Sequence, residues 1–258
     1  MRANTAKGFR LLKRQHKRSR RRRARLIECI TFAACILISG YHPAPNKETP
    51  IHTKVDHLVY ATPDLARGVE KIERLLGARA VPGGQHPGAG TRNALIGLGD
   101  ETYLEIIGPD PDQPKPARPR RFGIDELQAP RLVTWAAKGT DLEAIVENAK
   151  NRGIDLGQVQ SGSRRRPDGV LLSWHLTVSP ALNEGGIVPF LIDWGSTAHP
   201  AATLPKGCVL ADLRAEHPDA NRVRGGLSVL GLDLPVVSGP VPALIATIKT
   251  PHGKVELR

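Results

Sequence analysis

The first regular pattern of apolar residues is a short strand at residues 55–61 that leads into a helix. Asp64 is suited to cap this helix, and apolar residues then recur at helical spacing until Gly77 ends it. Alternating apolar residues between turns rich in Gly, Pro and Asp predict three more strands, around residues 79–81, 91–98 and 102–107. The pattern therefore predicts one βαβββ unit.

The same order of elements returns twice further along the chain. The second pass has a strand at residues 131–137 and a helix that ends at Gly153. The third, shorter pass has a strand at residues 209–215 and a helix that ends at Gly231. Later strands are predicted at residues 170–178, 188–194, 234–237, 243–248 and 254–257. A unit of this size cannot bury its own apolar face, so each is expected to close a sheet against a copy.

These repeats predict an α+β fold in which βαβββ units form curved, partly closed mixed sheets with helices packed outside. Residues 1–50 are expected to form a basic leader with a short apolar segment. We expect residues 51–200 to hold two units in one domain, and residues 201–258 to form a third, shorter unit packed on that domain. The Pro-rich stretch 109–119 is predicted to be an extended linker.

The net charge of +12 belongs to the leader rather than to the rest of the chain. Residues 1–25 contain 12 Lys and Arg and no acid, which leaves 25 Lys and Arg against 25 Asp and Glu in residues 26–258. The body of the protein is therefore neutral, and nucleic acid is not an expected partner. Three scattered cysteines argue against a disulfide framework and fit a reducing compartment.

The leader leaves several interpretations open. Its basic run precedes a mostly apolar segment at residues 26–40, which has the layout of a signal peptide but is shorter than the ~20 residues of a membrane span. The alternatives are a disordered arm and a wrongly assigned start ahead of a domain that begins near Lys54. We expect the folded domain to be cytoplasmic, with a membrane anchor or export through residues 1–40 as the alternative.

His57 and Glu105 are the first candidates for chemistry. His57 lies in the first strand of the first unit and Glu105 in the last, so an imidazole and a carboxylate can face each other across one curved sheet. The pair suggests a metal site or an acid/base site, and a His–Glu hydrogen bond that only closes the sheet is the alternative. Asp56 is expected on the face opposite to His57 and is therefore not expected to orient it.

Six sequence words, in this order along the chain, resemble the glyoxalase-like domain family of the vicinal oxygen chelate superfamily. They are DHLVYA at 56–61, GQHPGAGTRNAL at 84–95, YLEIIGPD at 103–110, SRR at 163–165, PDG at 167–169 and FLIDWG at 190–195. The resemblance implies a divalent metal ion at the mouth of the curved sheet, with His57 and Glu105 as ligands. The superfamily contains isomerases, lyases, epimerases, dioxygenases and non-catalytic drug-binding proteins, so the resemblance does not choose the chemistry.

The second unit does not repeat the ligand pair that the resemblance implies. Aligning the two units places Thr134 opposite His57 and Ile192 opposite Glu105, and neither of these side chains is a usual metal ligand. The four-ligand site of the superfamily, with two ligands from each unit, is therefore not expected in full.

His175 is the predicted substitute, as third metal ligand or as general base, because it lies on the more polar face of its strand. A different arrangement stays open in which the first and third units pair. In that case Asp212 and Glu256 would take the positions that correspond to His57 and Glu105.

Four residues are expected to act on or contact the substrate. Arg92 is the predicted catalytic anchor, since an Arg can clamp a carboxylate or two vicinal oxygens. His86, Asn93 and Trp194 are the predicted substrate-binding residues, and the glycines around His86 permit close approach of a ligand. The arginine run at residues 164–166 is either a solvated turn or a site for an anionic substrate.

Together these features predict a metal-dependent enzyme of lyase or isomerase type that stabilises an enolate or oxyanion of a small oxygenated molecule. The alternative is a non-catalytic protein that sequesters a small molecule in the same cavity. A small-molecule substrate is the expected partner, a homodimer is left open, and contact with a membrane is expected only through the leader.

Overall fold

A computed structural model describes residues 54–179 and 183–258 of the chain. The basic leader, with its interpretation as signal, anchor or arm, lies outside the described residues and stays a prediction. Within these two ranges, no helix combines the length and the apolar composition that a membrane span requires.

The described ranges contain twelve strands and three α-helices. The strands are β1 Val55–Ala61, β2 Val81–His86, β3 Thr91–Gly97, β4 Tyr103–Pro109, β5 Arg131–Lys138, β6 Gln158–Arg165, β7 Leu171–Val178, β8 Phe190–Asp193, β9 Val209–His217, β10 Val236–Ser238, β11 Ala243–Thr250 and β12 Gly253–Leu257. The helices are α1 Leu65–Leu76, α2 Leu142–Asn151 and α3 Ala220–Val229.

Eight strands form one mixed sheet in the order β2-β3-β4-β1-β5-β8-β7-β6. Each of the first two units contributes four strands, and in each unit the first strand runs parallel to the last, β1 beside β4 and β5 beside β8. The two units meet where β1 and β5 pair antiparallel. Because the strand order is mirrored about this junction, the predicted α+β fold built from repeated βαβββ units is confirmed.

The sheet curls until its two edge strands approach each other. The guanidinium of Arg164 on β6 donates a hydrogen bond to the carbonyl of Gly83 on β2. A Cβ on the neighbouring Gly84 would lie 2.6 Å from the Arg165 carbonyl oxygen, so the close approach of the two edges depends on glycine there. The sheet therefore nearly closes around a central cavity.

The third unit follows the same order of elements but pairs its strands differently. Its sheet has the order β10-β9-β11-β12, with the first strand β9 between β10 and β11. Asp212 and Glu256 therefore lie in a separate sheet, where Glu256 pairs with Arg214 and Arg258. The arrangement in which these two carboxylates complete the site is wrong, because the first unit pairs with the second through β1 and β5.

Helix α1 shows how the apolar pattern builds the core. Asp64 caps the helix by accepting a hydrogen bond from the Arg67 N–H at 3.1 Å, and Gly77 ends it with a φ of 63°. Ile72 and Leu76 on the inner face are fully buried, and burial of side chains of this size contributes about 1.5–3 kcal/mol each. The same apolar cluster continues into the third unit, so that unit and the eight-stranded sheet share one core.

Candidate functional site

A cavity of about 460 Å³ lies inside the curve of the eight-stranded sheet. The side chains that give it charge or polarity include those of His57, His86, Asn93, Glu105, Arg121 and Arg164. Its aromatic side chains are those of Tyr103, Phe122, Trp174, Phe190 and Trp194. A few polar groups in a largely aromatic wall are typical of a site for a small molecule.

Asp56 orients His57, contrary to the expectation that the two side chains point to opposite faces. The Asp56 carboxylate lies 2.7 Å from His57 Nδ1, and it also accepts hydrogen bonds from Trp194 Nε1–H at 3.0 Å and from His199 Nε2 at 3.2 Å. The register of β1 against β5 shifts between Val55 and His57. Such a bulge breaks the strict alternation of side chains and explains why the expectation was wrong.

The environment of Asp56 keeps this carboxylate ionised. Burial raises its pKa, but hydrogen bonds from His199 and His57 outweigh burial and lower the pKa to about 2. An ionised Asp56 can only accept, so the proton of this hydrogen bond is on His57 Nδ1, and the lone pair of a neutral imidazole would then be on Nε2, which faces the cavity. The imidazole is further held by stacking on Tyr103, with ring centroids 4.6 Å apart.

Glu105 lies beside His57 on the same wall of the cavity and is held by Asn93. His57 Nε2 and Glu105 Oε2 lie 3.8 Å apart, and Asn93 Nδ2 donates a hydrogen bond of 2.6 Å to Glu105 Oε1. Asn93 Oδ1 is buried and has no hydrogen-bond partner among the described residues. A Cβ on Gly83 would lie 2.1 Å from this oxygen, so the position of Asn93 depends on glycine at residue 83.

His86 lies on the other side of the same carboxylate. Its Nδ1 is 3.0 Å from Thr91 Oγ1, and its Nε2 is 3.4 Å from Asn93 Nδ2 and 3.9 Å from Glu105 Oε1. Burial lowers the pKa of His86, with the charge of Glu105 acting in the opposite direction. A neutral His86 that donates from Nδ1 to Thr91 presents its Nε2 lone pair to the Asn93 amide N–H and to the space beside Glu105.

The sequence model described as glyoxalase-like domain matches residues 55–231 of the chain. The chain belongs to the glyoxalase-like domain family. The family places the chain in the vicinal oxygen chelate superfamily. No curated protein sequence matches the chain.

The chain is similar to several solved structures. A hypothetical protein from Staphylococcus aureus is 15% identical, with 79% of this chain and 84% of that chain covered, at a TM-score of 0.53. The methylmalonyl-CoA epimerase from Mycobacterium tuberculosis is 20% identical, with 57% of this chain and 91% of that chain covered, at a TM-score of 0.38. At such identities the likeness to the staphylococcal protein supports the fold alone.

The donor set of this glyoxalase-like domain fits a divalent metal ion in its chemistry. A His whose Nδ1–H is held by a carboxylate is typical of metal ligands, and His57 has that arrangement. Lone pairs of His57, His86 and the Glu105 carboxylate face one space, and such N/O ligands suit Zn, Mn, Fe, Ni or Co. Within residues 54–179 and 183–258, the structure has no group of three His, Cys, Asp or Glu side chains that lie close enough together to hold a metal ion. Binding would therefore need these three side chains to move inward.

The structure places three of the predicted substrate residues together and leaves Arg92 out. His86, Asn93 and Trp194 all line the cavity. Strand alternation turns Arg92 away from Asn93, and its guanidinium contacts Asp112 at 3.0 Å on the outside of the sheet. The expectation that Arg92 anchors the substrate is not supported by this position.

His175 does not reach the cavity. On β7, Trp174 and Leu176 line the cavity, and His175 between them is exposed on the opposite face beside Ser161. The expectation that the polar face of this strand turns inward was wrong, because the aromatic and aliphatic side chains form the wall here. His175 is therefore not placed to act as ligand or base.

Arg121 and Tyr103 also line the cavity, and the sequence pattern assigned neither of them a role. Burial raises the pKa of Tyr103 well above its usual range, so its hydroxyl stays a hydrogen-bond donor.

The Arg121 guanidinium lies over the rings of Phe122 and Phe190, at 4.8 and 5.4 Å from their centroids. Phe122 has a φ of 63°, a conformation that costs about 1–3 kcal/mol in a non-glycine residue. Arg121 lies in an irregular segment, which explains why strand or helix periodicity could not reveal it.

Proposed function

We propose that this glyoxalase-like protein is a metal-dependent enzyme of vicinal oxygen chelate type. It acts on a small oxygenated molecule by stabilising an enolate or oxyanion, as a lyase or isomerase does. The observation that carries the proposal is the convergence of His57 Nε2, His86 Nε2 and the Glu105 carboxylate on one side of the cavity.

His57, His86 and Glu105 would hold the divalent ion, with His86 in the place that the sequence had given to His175. The ion would supply a Lewis acid for the oxygen atoms of the substrate, a contribution of several kcal/mol to the stability of a developing negative charge. Asp56 fixes the tautomer of His57, and Asn93 fixes the orientation of Glu105.

The remaining cavity residues support the same chemistry. The Tyr103 hydroxyl stays protonated and can donate a hydrogen bond to a substrate oxygen that gains negative charge. Phe190 and Trp174 provide an apolar wall that excludes water, which strengthens hydrogen bonds inside the cavity.

Metal analysis tests this proposal. Protein produced with added Mn, Fe, Zn, Ni and Co and purified without chelator is expected to hold about one equivalent of metal. The His57→Ala variant should lose the metal, and the His175→Ala variant, altered at the exposed His, should retain it. Less than about 0.2 equivalents in the unaltered protein would overturn the proposal.

A metal-free binding protein is the second candidate, and the second unit favours it. Thr134 bonds to the Gly186 carbonyl and Ile192 is a buried apolar wall residue, so neither position offers a ligand. This candidate predicts that a small molecule binds equally well with and without chelator and is not turned over. A loss of affinity on chelation would instead favour the enzyme.

A further inference from the structure

We infer that the cavity takes a small organic anion, a carboxylate or phosphate with an apolar remainder, and that Arg121 and Arg164 bind its charged group. The inference rests on the proposed function, because it names the class of molecule that the same cavity accepts. It adds two residues outside the His57–Glu105 pair that act on the ligand.

The charges of the cavity are unbalanced. Among the described residues that line it, Arg121 and Arg164 are positive, Glu105 is negative, and His86 is kept neutral by burial. Neither guanidinium has a carboxylate within 4.0 Å in the described ranges, although both feel the charge of Glu105 from further away. The cavity therefore has one positive charge more than its own acid can neutralise.

Two arginines that adjoin Arg121 or lie near Arg164 in the sequence do have carboxylate partners. Arg120 contacts Asp125 at 2.6 Å, and Arg166 contacts Asp168 at 2.7 Å. Arg164 has only 4% of its surface exposed and donates to the Gly83 carbonyl. A buried guanidinium without a counter-ion is costly, and burial lowers the pKa of both Arg121 and Arg164. A ligand anion would remove this cost.

Both arginines are also held in position before a ligand arrives. Arg164 belongs to β6 and is fixed by its hydrogen bond across the sheet edges, and Arg121 is stacked over two phenyl rings. The planar guanidinium offers paired N–H donors whose spacing matches the oxygens of a carboxylate or phosphate. The aromatic wall beside them, including Trp174 and Phe190, suits an apolar remainder of the ligand.

Tryptophan fluorescence of the full chain can test the inference, because Trp174 and Trp194 line the cavity while Trp135 is fully buried in the core. Three probes share a phenyl group: phenylglyoxylate has a carboxylate, phenyl phosphate has a phosphate, and methyl phenylglyoxylate is a neutral ester. We expect saturable binding of at least one anion, with the ester weaker by about tenfold or more. The tighter anion decides between carboxylate and phosphate.

Arginine variants locate the binding group. Arg121→Gln should weaken binding of the anion by about tenfold or more and leave binding of the ester unchanged. Arg165→Gln is the matched control, since Arg165 is adjacent to Arg164 but exposed on the other face of β6. Because Arg164 is buried, Arg164→Gln can fail to fold; Arg164→Lys keeps the charge and should bind the anion more weakly than the unaltered protein does.

The outcomes separate the inference from the proposed function. Equal affinity for ester and anion, or an Arg121→Gln variant that binds the anion normally, would overturn the anion inference and leave a small-molecule site with its metal content unaffected. If none of the three probes binds at up to about 10 mM, the inference fails. The metal analysis of the same samples then decides independently whether the proposed enzyme chemistry fails as well.

Discussion

The two halves of the eight-stranded sheet have the same element order and the same strand pairing, yet they present different chemistry to one cavity. The first unit contributes His57, His86 and Glu105, whereas the second contributes Ile192 and Arg164. The comparison shows that strand pairing and burial of the sheet require only apolar residues on the faces that pack into the core. Residues that point into the cavity are free of that requirement, so a repeated fold can carry polar donors in one half and an aromatic, cationic wall in the other.

The largest expected difference between the halves is in metal affinity. His57→Ala removes one of three donors and should lower the affinity for Zn²⁺ by more than about 100-fold, as measured by competition with a chromophoric chelator. Thr134→Ala is the matched change in the second unit. It removes the hydrogen bond to the Gly186 carbonyl and should cost about 1 kcal/mol of folding stability while metal affinity is unchanged. Equal loss of metal in both variants would contradict the division between the halves.

Two glycines provide a second comparison, because each makes room for one functional side chain. In Gly83→Ala the new Cβ would meet Asn93 Oδ1 at 2.1 Å, and in Gly162→Ala it would meet Trp174 Nε1 at 2.4 Å. Each change should lower the free energy of unfolding by about 1–3 kcal/mol. We expect the first to weaken metal binding by displacing Asn93 from Glu105, and the second to alter fluorescence and ligand binding.

Metal affinity and ligand binding are both to be measured on Gly83→Ala and on Gly162→Ala, which tests whether each glycine affects only one of the two. Chelator competition reports on the first-unit donors, and tryptophan emission reports on the second-unit wall. If Gly162→Ala loses metal affinity as strongly as Gly83→Ala does, the cavity acts as one coupled unit instead.

Acid unfolding probes the carboxylate that supports the first-unit donors. The pKa of Asp56 is about 2 in the folded protein and about 3.9 in an unfolded chain. Asp56 therefore contributes about 2 kcal/mol of stability above pH ~4, and this contribution is lost as the pH falls towards 2. We expect Asp56→Asn to have a lower free energy of unfolding than the unaltered protein at pH 7, and this difference should become smaller as the pH falls.

Urea unfolding of chelator-treated protein between pH 7 and pH 2 measures this difference. Asp193→Asn in the second unit is the control, since the Asp193 side chain is hydrogen bonded only to the Gly195 N–H among the described residues. Its stability difference from the unaltered protein should stay small and independent of pH. If the difference in free energy of unfolding between Asp56→Asn and the unaltered protein becomes larger at low pH, the proposed role of Asp56 is refuted.

The sequence predicted the fold well because alternation, helical spacing and capping act locally. Asp64 and Gly77, for example, bound helix α1 as expected. The site was predicted only in part. His57 and Glu105 lie on the first and last strands of one predicted unit, so their proximity followed from topology. The bulge beside Asp56 depends on pairing with β5 and leaves no local signal in the sequence. Arg121 reaches the cavity from an irregular segment, whose path only the folded chain defines.

The smallest expected effect is that of His175→Ala, and it tests the inward face of β7. Sequence alternation alone allowed either face of this strand to line the cavity, and the structure turns Trp174 and Leu176 inward. Because His175 is exposed, its replacement should change stability by less than about 0.5 kcal/mol and leave metal and anion affinity unchanged. Trp174→Ala, one residue away, should instead weaken binding of the phenyl probes. A loss of metal affinity in His175→Ala would show that β7 adopts the opposite register in the active protein and would return His175 to the site.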